Sequence, residues 1–157
     1  MRSRPVFRRS VALRTEPVNL PMNNLALTEI VICTTCRMAG TPREHTADGL
    51  NLLETVQEAL LEAEGEAETG VGVRVRGQAC LSGCNRACTL AFQAAGKQTY
   101  YFGDLSCDAE TAAHVLACAR LHQCSADGTL ERKDRPERLR NGILGRLPAL
   151  GTARDHL

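Results

Sequence analysis

The first apolar stretch of the chain, Leu25-Ala26-Leu27-Thr28-Glu29-Ile30-Val31-Ile32, is short, rich in β-branched side chains and runs straight into Cys33. That pattern predicts a buried strand ending at a cysteine. Residues 37–48 read as loop, punctuated by Gly40, Pro42 and Asp48. Leu50, Leu53, Gln57, Leu60 and Leu61 then fall at helical spacing, with Ala59 and Ala63 on adjoining positions. Glu54, Glu58, Glu62 and Glu64 fill the wet side, so an amphipathic helix is predicted, with Asp48 as its N-cap and Gly65 as its stop. Val71 to Gly77 alternates apolar and basic residues, as a half-buried strand does. Thr89 to Gln93 and Gln98 to Phe102 are two further strands, joined through Ala94-Ala95-Gly96-Lys97 as a hairpin. A second helix is expected to start at Asp104 or Ser106 and to run to about Cys124, with Ala112, Val115, Leu116 and Ala119 on its apolar side.

The order is β-α-β-β-β-α, which predicts an α/β fold: a single sheet with helices packed on it. Its first strand, helix and second strand form a right-handed parallel crossover, and an antiparallel hairpin follows. Three segments are expected. Residues 1–24 form a disordered basic tail, 25–127 the folded domain, and 128–157 a charged, extended C-terminal tail that folds back without a core of its own.

Composition narrows the function. The 157 residues are 43% hydrophobic and 24% charged, fitting one globular domain with tails. A formal charge of +1 gives no global electrostatic case for nucleic acid or a membrane surface. Two Tyr, three Phe and no Trp offer no stacking platform for single strands. No apolar run reaches the roughly 18–20 residues of a membrane span. The start carries Arg2, Arg4, Arg8, Arg9 and Arg14 with no apolar core behind them, unlike a secretory signal. It reads as a disordered tail or an over-extended start, with an organelle transit segment and a basic arm for an acidic partner as alternatives.

Eight cysteines in such a chain point to a reducing cytosol and to metal or redox chemistry rather than to disulfide staples. Five of them gather into two clusters: Cys33-Thr34-Thr35-Cys36, a C-x2-C, and Cys80-Leu81-Ser82-Gly83-Cys84-Asn85-Arg86-Ala87-Cys88, a C-x3-C-x3-C. Thiolates at these spacings suit one soft metal ion or an iron–sulfur cluster. Both clusters lie just past the carboxyl ends of the two parallel strands, so they are expected to meet in space. The candidate ligands are Cys33, Cys36, Cys80 and Cys84. Cys88 is a fifth ligand, a replacement for Cys36, or a core residue. A 2Fe–2S cluster places two thiolates on each iron; zinc, cobalt or another transition metal is the alternative occupant.

The element order and the second cluster resemble the thioredoxin-like 2Fe–2S ferredoxins, in which two ligands follow the first strand and a C-x3-C follows the second. Cys80 to Cys84, followed by Lys97-Gln98-Thr99-Tyr100-Tyr101-Phe102-Gly103, fits that plan. Val31 to Arg37, Cys80 to Cys88 and Gly96 to Leu105 are similar to a bacterial family of small predicted metal-binding proteins. So is the tail pattern Arg135-Pro136, Leu139-Arg140, Arg146-Leu147-Pro148. The resemblance implies a thioredoxin-like fold, one-electron transfer with a redox protein partner, or delivery to a metal-receiving partner, and the homodimers that such ferredoxins form. Two departures stand out: the first pair is a tight C-x2-C where the ferredoxins use a long spacing, and Cys88 stands where they have a proline.

The remaining chemistry-bearing residues carry less. Arg37 and Arg86 adjoin cysteines and either offset thiolate charge or lie solvated in loops. His114, Cys118 and His122 fall at i, i+4 and i+8 on the last helix, a stripe that is packing surface before it is a second metal site. Cys107 and Cys124 are expected to be structural, and Asp104 and Asp108 to mark a helix start. A thiol–disulfide oxidoreductase is the rival class, because a redox C-x-x-C belongs after the first strand of this fold. The long loop between Cys36 and the helix argues against it, since a helix N-terminus is what activates such a cysteine, and so does the missing proline before the hairpin. With no triad, phosphate loop or paired carboxylates, no enzyme activity is expected.

Overall fold

A computed structural model describes residues 27–66 and 72–150. Five strands form one sheet in the order β2-β1-β3-β4-β5, with β1 over Thr28–Cys33, β2 over Val73–Gln78, β3 over Leu90–Gln93, β4 over Thr99–Phe102 and β5 over Ile143–Leu147. The pairing of β1 with β2 is parallel and the other three pairings are antiparallel. Helices α1, Asp48–Glu66, and α2, Ala109–Cys124, pack on the sheet and on each other. The α/β class and the β-α-β-β-β-α order are those of the sequence pattern, with a fifth strand added. The basic segment 1–24 lies outside the described residues.

Alternation in the strands divides the sheet into two faces. Thr28, Ile30, Ile32, Leu90, Phe92, Tyr100 and Phe102 are buried toward the helices. Phe92 and Phe102 meet edge to face with centroids 5.6 Å apart. Val31, Cys33, Ala91 and Tyr101 fall on the other face. A buried histidine ties α2 to two strands: the Thr28 hydroxyl and His122 Nδ1 lie 3.0 Å apart, and His122 Nε2 lies 2.8 Å from the Gln98 carbonyl oxygen. Lys97, 6% exposed, closes the carboxyl end of α2 by donating from Nζ to the His122 carbonyl at 3.0 Å and to the Gln123 carbonyl. A cation on the last carbonyls of a helix satisfies acceptors that the helix itself leaves open.

Several boundaries differ from the sequence pattern. The second helix starts at Asp108, whose carboxylate accepts from Thr111 N at 2.7 Å as an N-cap. Asp104 instead adopts φ 58° and pairs with Arg86. Helix α1 passes through Gly65 to Glu66. The C-terminal segment contributes more than a covering tail. Leu130 and Leu139 belong to the main core, Leu130 N donates to the Tyr100 hydroxyl at 3.0 Å, and β5 extends the sheet beside β4. Arg135 is 6% exposed and donates to the Leu139 carbonyl at 3.2 Å, so one of the charges in this run is folded in with the leucines.

Candidate functional site

The parallel register brings the cysteine clusters together. Cys33, the last residue of β1, lies opposite Gln78, the last residue of β2 and two positions before Cys80. Thr34 N donates to the Gln78 carbonyl at 2.8 Å, and the Thr35 hydroxyl donates to the Ala79 carbonyl. The Cys33 amide donates to the Thr89 carbonyl at 3.1 Å. The C-x2-C turn is therefore stitched to both segments that flank the second cluster.

Cys33 and Cys36 are each 1% exposed; the Cys33 sulfur lies 3.7 Å from the Thr35 hydroxyl and the Cys36 sulfur 3.5 Å from the Thr89 hydroxyl. Burial pushes the Cys33 thiol up, but hydrogen bonds from Cys36, Leu81 and Thr35 outweigh it, and the pKa ends below its ordinary value. Cys36 is pushed up to about 11 by burial and by its hydrogen bond and charge contact with Cys33, with the Thr89 hydroxyl, 3.5 Å from its sulfur, opposing the rise. The two thiols are thus shifted in opposite directions. The first turn of α1 lies directly against them: Gly49 N donates to the Cys36 carbonyl at 3.0 Å, and a Cβ at Gly49 would overlap the Cys33 carbonyl oxygen. The loop 37–47 separates helix from cysteines in sequence but not in space, although the helix amide at Gly49 is spent on a carbonyl rather than on a sulfur. Asp48 anchors that loop by accepting from Met38 N at 2.8 Å. Burial works against its ionisation, yet hydrogen bonds from Met38 and Thr41 hold its pKa below the usual range.

The second cluster is more open. Cys80 is exposed, and its sulfur accepts from Ser82 N at 3.3 Å. Cys84 is exposed at the start of a single 3-10 turn, Cys84–Arg86. Cys84 and Asn85 stand between two hollows. One, of about 540 Å³, is walled by Arg37, Met38, Ala87 and Leu105; the other, of about 380 Å³, by Gly83, Tyr101 and Leu144. Tyr101, on β4, donates from its hydroxyl to the Leu81 carbonyl at 2.7 Å and holds the loop between Cys80 and Cys84. Its own pKa is raised by burial, against a hydrogen bond from Thr89 and with the charges of Cys36, Cys33 and Cys80 adding to the rise.

Cys88 lies in the core with no exposed surface, and burial, followed by the charges of Cys36 and Asp48, pushes its thiol up to about 12. Its amide and carbonyl pair with Leu105 at 3.1 and 3.2 Å, and the Ala87–Cys88 peptide is cis. Arg86 binds the Asp104 carboxylate through Nε at 2.8 and 3.0 Å, and Arg37 donates to the carbonyls of Pro42 and Arg43 at 2.9 and 3.1 Å. Both guanidiniums are thus engaged in building loops. His122 and Cys118 are buried packing residues of α2, Cys118 raised to about 12 by burial, and His114 is partly buried there. Cys107 is partly buried against the core and Cys124 is exposed at the helix end.

The donors suit a soft metal in kind, since every candidate is a thiol. In placement, no group of three or more His, Cys, Asp and Glu side chains among the described residues is set to hold an ion. Cys33 and Cys36 are buried, while Cys80 and Cys84 are exposed on a segment tied down by Tyr101 at the Leu81 carbonyl and by Thr35 at the Ala79 carbonyl. Thr35, Thr89 and Tyr101 are the site residues that the cysteine motifs did not reveal. Thr35 falls inside a motif, and the other two are marked only by their strand positions nearest the cysteines.

A family model described as "Protein of unknown function (DUF1636)" matches residues 30–149. No curated protein and no solved structure matches the chain. Among the described residues no helix is long and apolar enough to cross a membrane.

Proposed function

This chain belongs to the DUF1636 family, and we propose that it is a thiolate metal-centre protein, specifically a 2Fe–2S one-electron carrier, with Cys33, Cys36, Cys80 and Cys84 as donors. The observation that carries this reading is the β1–β2 register, which sets Cys33 opposite Gln78 and so brings a buried thiol pair and an exposed one to the same end of the sheet. Two thiolates per iron match two pairs of cysteines. When bound, the cluster supplies a single electron to or from a redox protein. The chain's own residues do the rest. The sheet end and α1 keep water from Cys33 and Cys36, and exposed Cys80 and Cys84 form the side that a partner approaches. Assembly requires the 79–84 loop to move inward from its present tether on Tyr101. Delivery of zinc or cobalt to a metal-receiving protein uses the same donors.

A second reading is favoured by one contact. The first turn of α1 is seated on the Cys36 carbonyl, beside a buried C-x2-C pair, and this supports thiol–disulfide exchange as a reading. In that reaction the pair is oxidised to a disulfide while a substrate disulfide is reduced to two thiols.

Anaerobic purification with a visible spectrum and metal and sulfide analysis on one sample separates these readings. Charge-transfer absorption with equal iron and acid-labile sulfide supports the carrier. A colourless protein with stoichiometric zinc, or a cobalt form lacking sulfide, replaces it with the delivery role. A metal-free protein that reduces insulin disulfides through Cys33, with Cys80 and Cys84 dispensable, replaces it with exchange chemistry.

A further inference from the structure

Three cysteines are exposed, Cys80, Cys84 and Cys124, and the first two share one short segment. That segment is fixed at two carbonyls: Ala79 accepts from the Thr35 hydroxyl, and Leu81 accepts from the Tyr101 hydroxyl at 2.7 Å. Between the cysteines, Gly83 is pressed against the sheet. A Cβ there would overlap the Tyr101 hydroxyl and lie 2.7 Å from Thr89 Cγ2. The backbone of the segment is thus fastened down while both of its cysteines stay open to solvent. Cys80 Sγ accepts from Ser82 N at 3.3 Å, which holds that sulfur in the turn leading to Cys84. Cys84 borders hollows of about 540 Å³ and 380 Å³, so there is room beside it for another molecule. Cys33 and Cys36, each 1% exposed, are out of reach of a disulfide carried by another molecule.

We propose that Cys80 and Cys84 are a thiol–disulfide exchange pair in their own right, reducing a disulfide that reaches the protein surface and closing to a Cys80–Cys84 disulfide. Exchange runs through a thiolate, a mixed disulfide and a second thiol that resolves it. Cys84, beside the hollows, loses its proton to solvent and attacks one sulfur of the incoming disulfide. A Cys84–substrate bond forms, the substrate S–S bond breaks, and the first substrate thiolate leaves and takes up a proton. Cys80 then attacks the Cys84 sulfur, the Cys80–Cys84 bond forms and the second substrate thiol departs. Two cysteines are oxidised by two electrons, and one disulfide is reduced to two thiols. The resolving step is intramolecular, because both cysteines ride on one fastened segment, and this favours it over a second encounter. Two thiols from a reductant return the pair to its starting state. This inference goes beyond the metal-centre reading and requires none of the inward movement of the 79–84 loop that assembly of a centre demands. It differs from exchange at the C-x2-C in the pair that reacts.

The test uses the full chain, reduced, freed of metal with EDTA and checked for native circular dichroism, with oxidised glutathione as the probe. Samples are quenched by alkylation and mapped by mass after cleavage at arginine, which isolates both cysteines in residues 77–86. Cys124, exposed with no second exposed cysteine on its helix, is the unpaired reference. The expected result is that residues 77–86 become two hydrogens lighter and carry no glutathione, while Cys124 holds one. Cys33 and Cys36 should remain reduced and take the alkylating reagent only in urea. Cys80→Ser, which removes the resolving thiol, should trap glutathione on Cys84. Free thiols or two glutathiones in residues 77–86 overturn the proposal, as does a disulfide that forms first between Cys33 and Cys36 or between Cys33 and Cys80. A Cys80→Ser chain with no adduct on Cys84 overturns Cys84 as the attacking thiol. Metal and sulfide assayed before EDTA treatment judge the carrier reading separately, so either can fail while the other stands.

Discussion

The amide of Gly49 donates to the carbonyl of Cys36 at 3.0 Å, so the first turn of α1 is built onto the C-x2-C segment. The contact is backbone to backbone and leaves no room for a side chain: a Cβ at Gly49 meets the Cys33 carbonyl oxygen and lies 3.2 Å from Cys36 Cβ. Gly49→Ala must therefore push the helix off the cysteines, although alanine is the better helix former. We expect a loss of about 1–3 kcal/mol in stability by urea unfolding, together with faster alkylation of Cys33 and Cys36. An alanine variant as stable as the native chain, with unchanged thiol reactivity, refutes this seating.

If Cys33, Cys36, Cys80 and Cys84 are donors as proposed and the other cysteines packing residues, serine or alanine replacements sort them. Cys33→Ser, Cys36→Ser, Cys80→Ser and Cys84→Ser should each abolish stoichiometric metal, read by elemental analysis of purified protein. Cys118→Ala and Cys88→Ala should keep the metal and cost about 1–2 kcal/mol of stability each, as small core truncations do. Metal loss in Cys88→Ala, with the fold intact by circular dichroism, would promote Cys88 to a ligand.

His122 gives the fold a pH dependence with a definite sign. Burial holds its pKa below the ordinary value, the Gln98 hydrogen bond opposes that shift, and the nearby Lys97 charge adds to it. The unfolded chain, with a His pKa of about 6.5, therefore binds a proton that the folded chain resists. The contribution of neutral His122 is fully present above about pH 6.5 and is lost as pH falls from there through the lower folded value. Urea midpoints measured from pH 8 down to pH 5 should fall, and His122→Gln should flatten that part of the profile. An equal slope in the variant would assign the effect to other groups.

Leu139 tests whether the C-terminal segment is part of the cooperative unit. It is fully buried and belongs to the same core cluster as Ile30 and Phe92. Leu139→Ala should cost about 2–4 kcal/mol and leave a single unfolding transition, followed by tyrosine fluorescence and by circular dichroism together. Two separated transitions, or a loss within error of zero, would show that the segment docks on a domain already stable without it.

The helices and first four strands were legible in the sequence because each carries its own period. Alternation at Val73, Arg74, Val75 and Arg76 and the leucine spacing from Leu50 to Leu60 are local signals. That both cysteine segments leave the same end of the sheet was legible as well, since parallel strands fix which ends share a side, but among the described residues no three of their thiols are gathered there. The fifth strand was not: Leu130, Leu139 and Ile143 are spaced at no structural period and sit within a run of charges, one of which, Arg135, is buried with its guanidinium on a carbonyl. Asp104 and Asp108 offered equal capping chemistry, and the pull of Arg86 on Asp104 decided between them. Thr89 and Tyr101 looked like ordinary strand residues because their role depends on what the strand lies against.

Strand β1 lies inside the sheet between β2 and β3, yet it is the first strand among the described residues, and Ala79, Thr89 and Tyr101 are all encoded downstream of its thiol pair. During vectorial synthesis Cys33 and Cys36 leave the ribosome with no Ala79, Thr89 or Tyr101 to enclose them. The pair meets oxidants and metal ions first as an open dithiol on a tether. Anything bound there at that stage has to be accommodated as the sheet closes, so the order of the strands exposes these sulfurs before it shelters them.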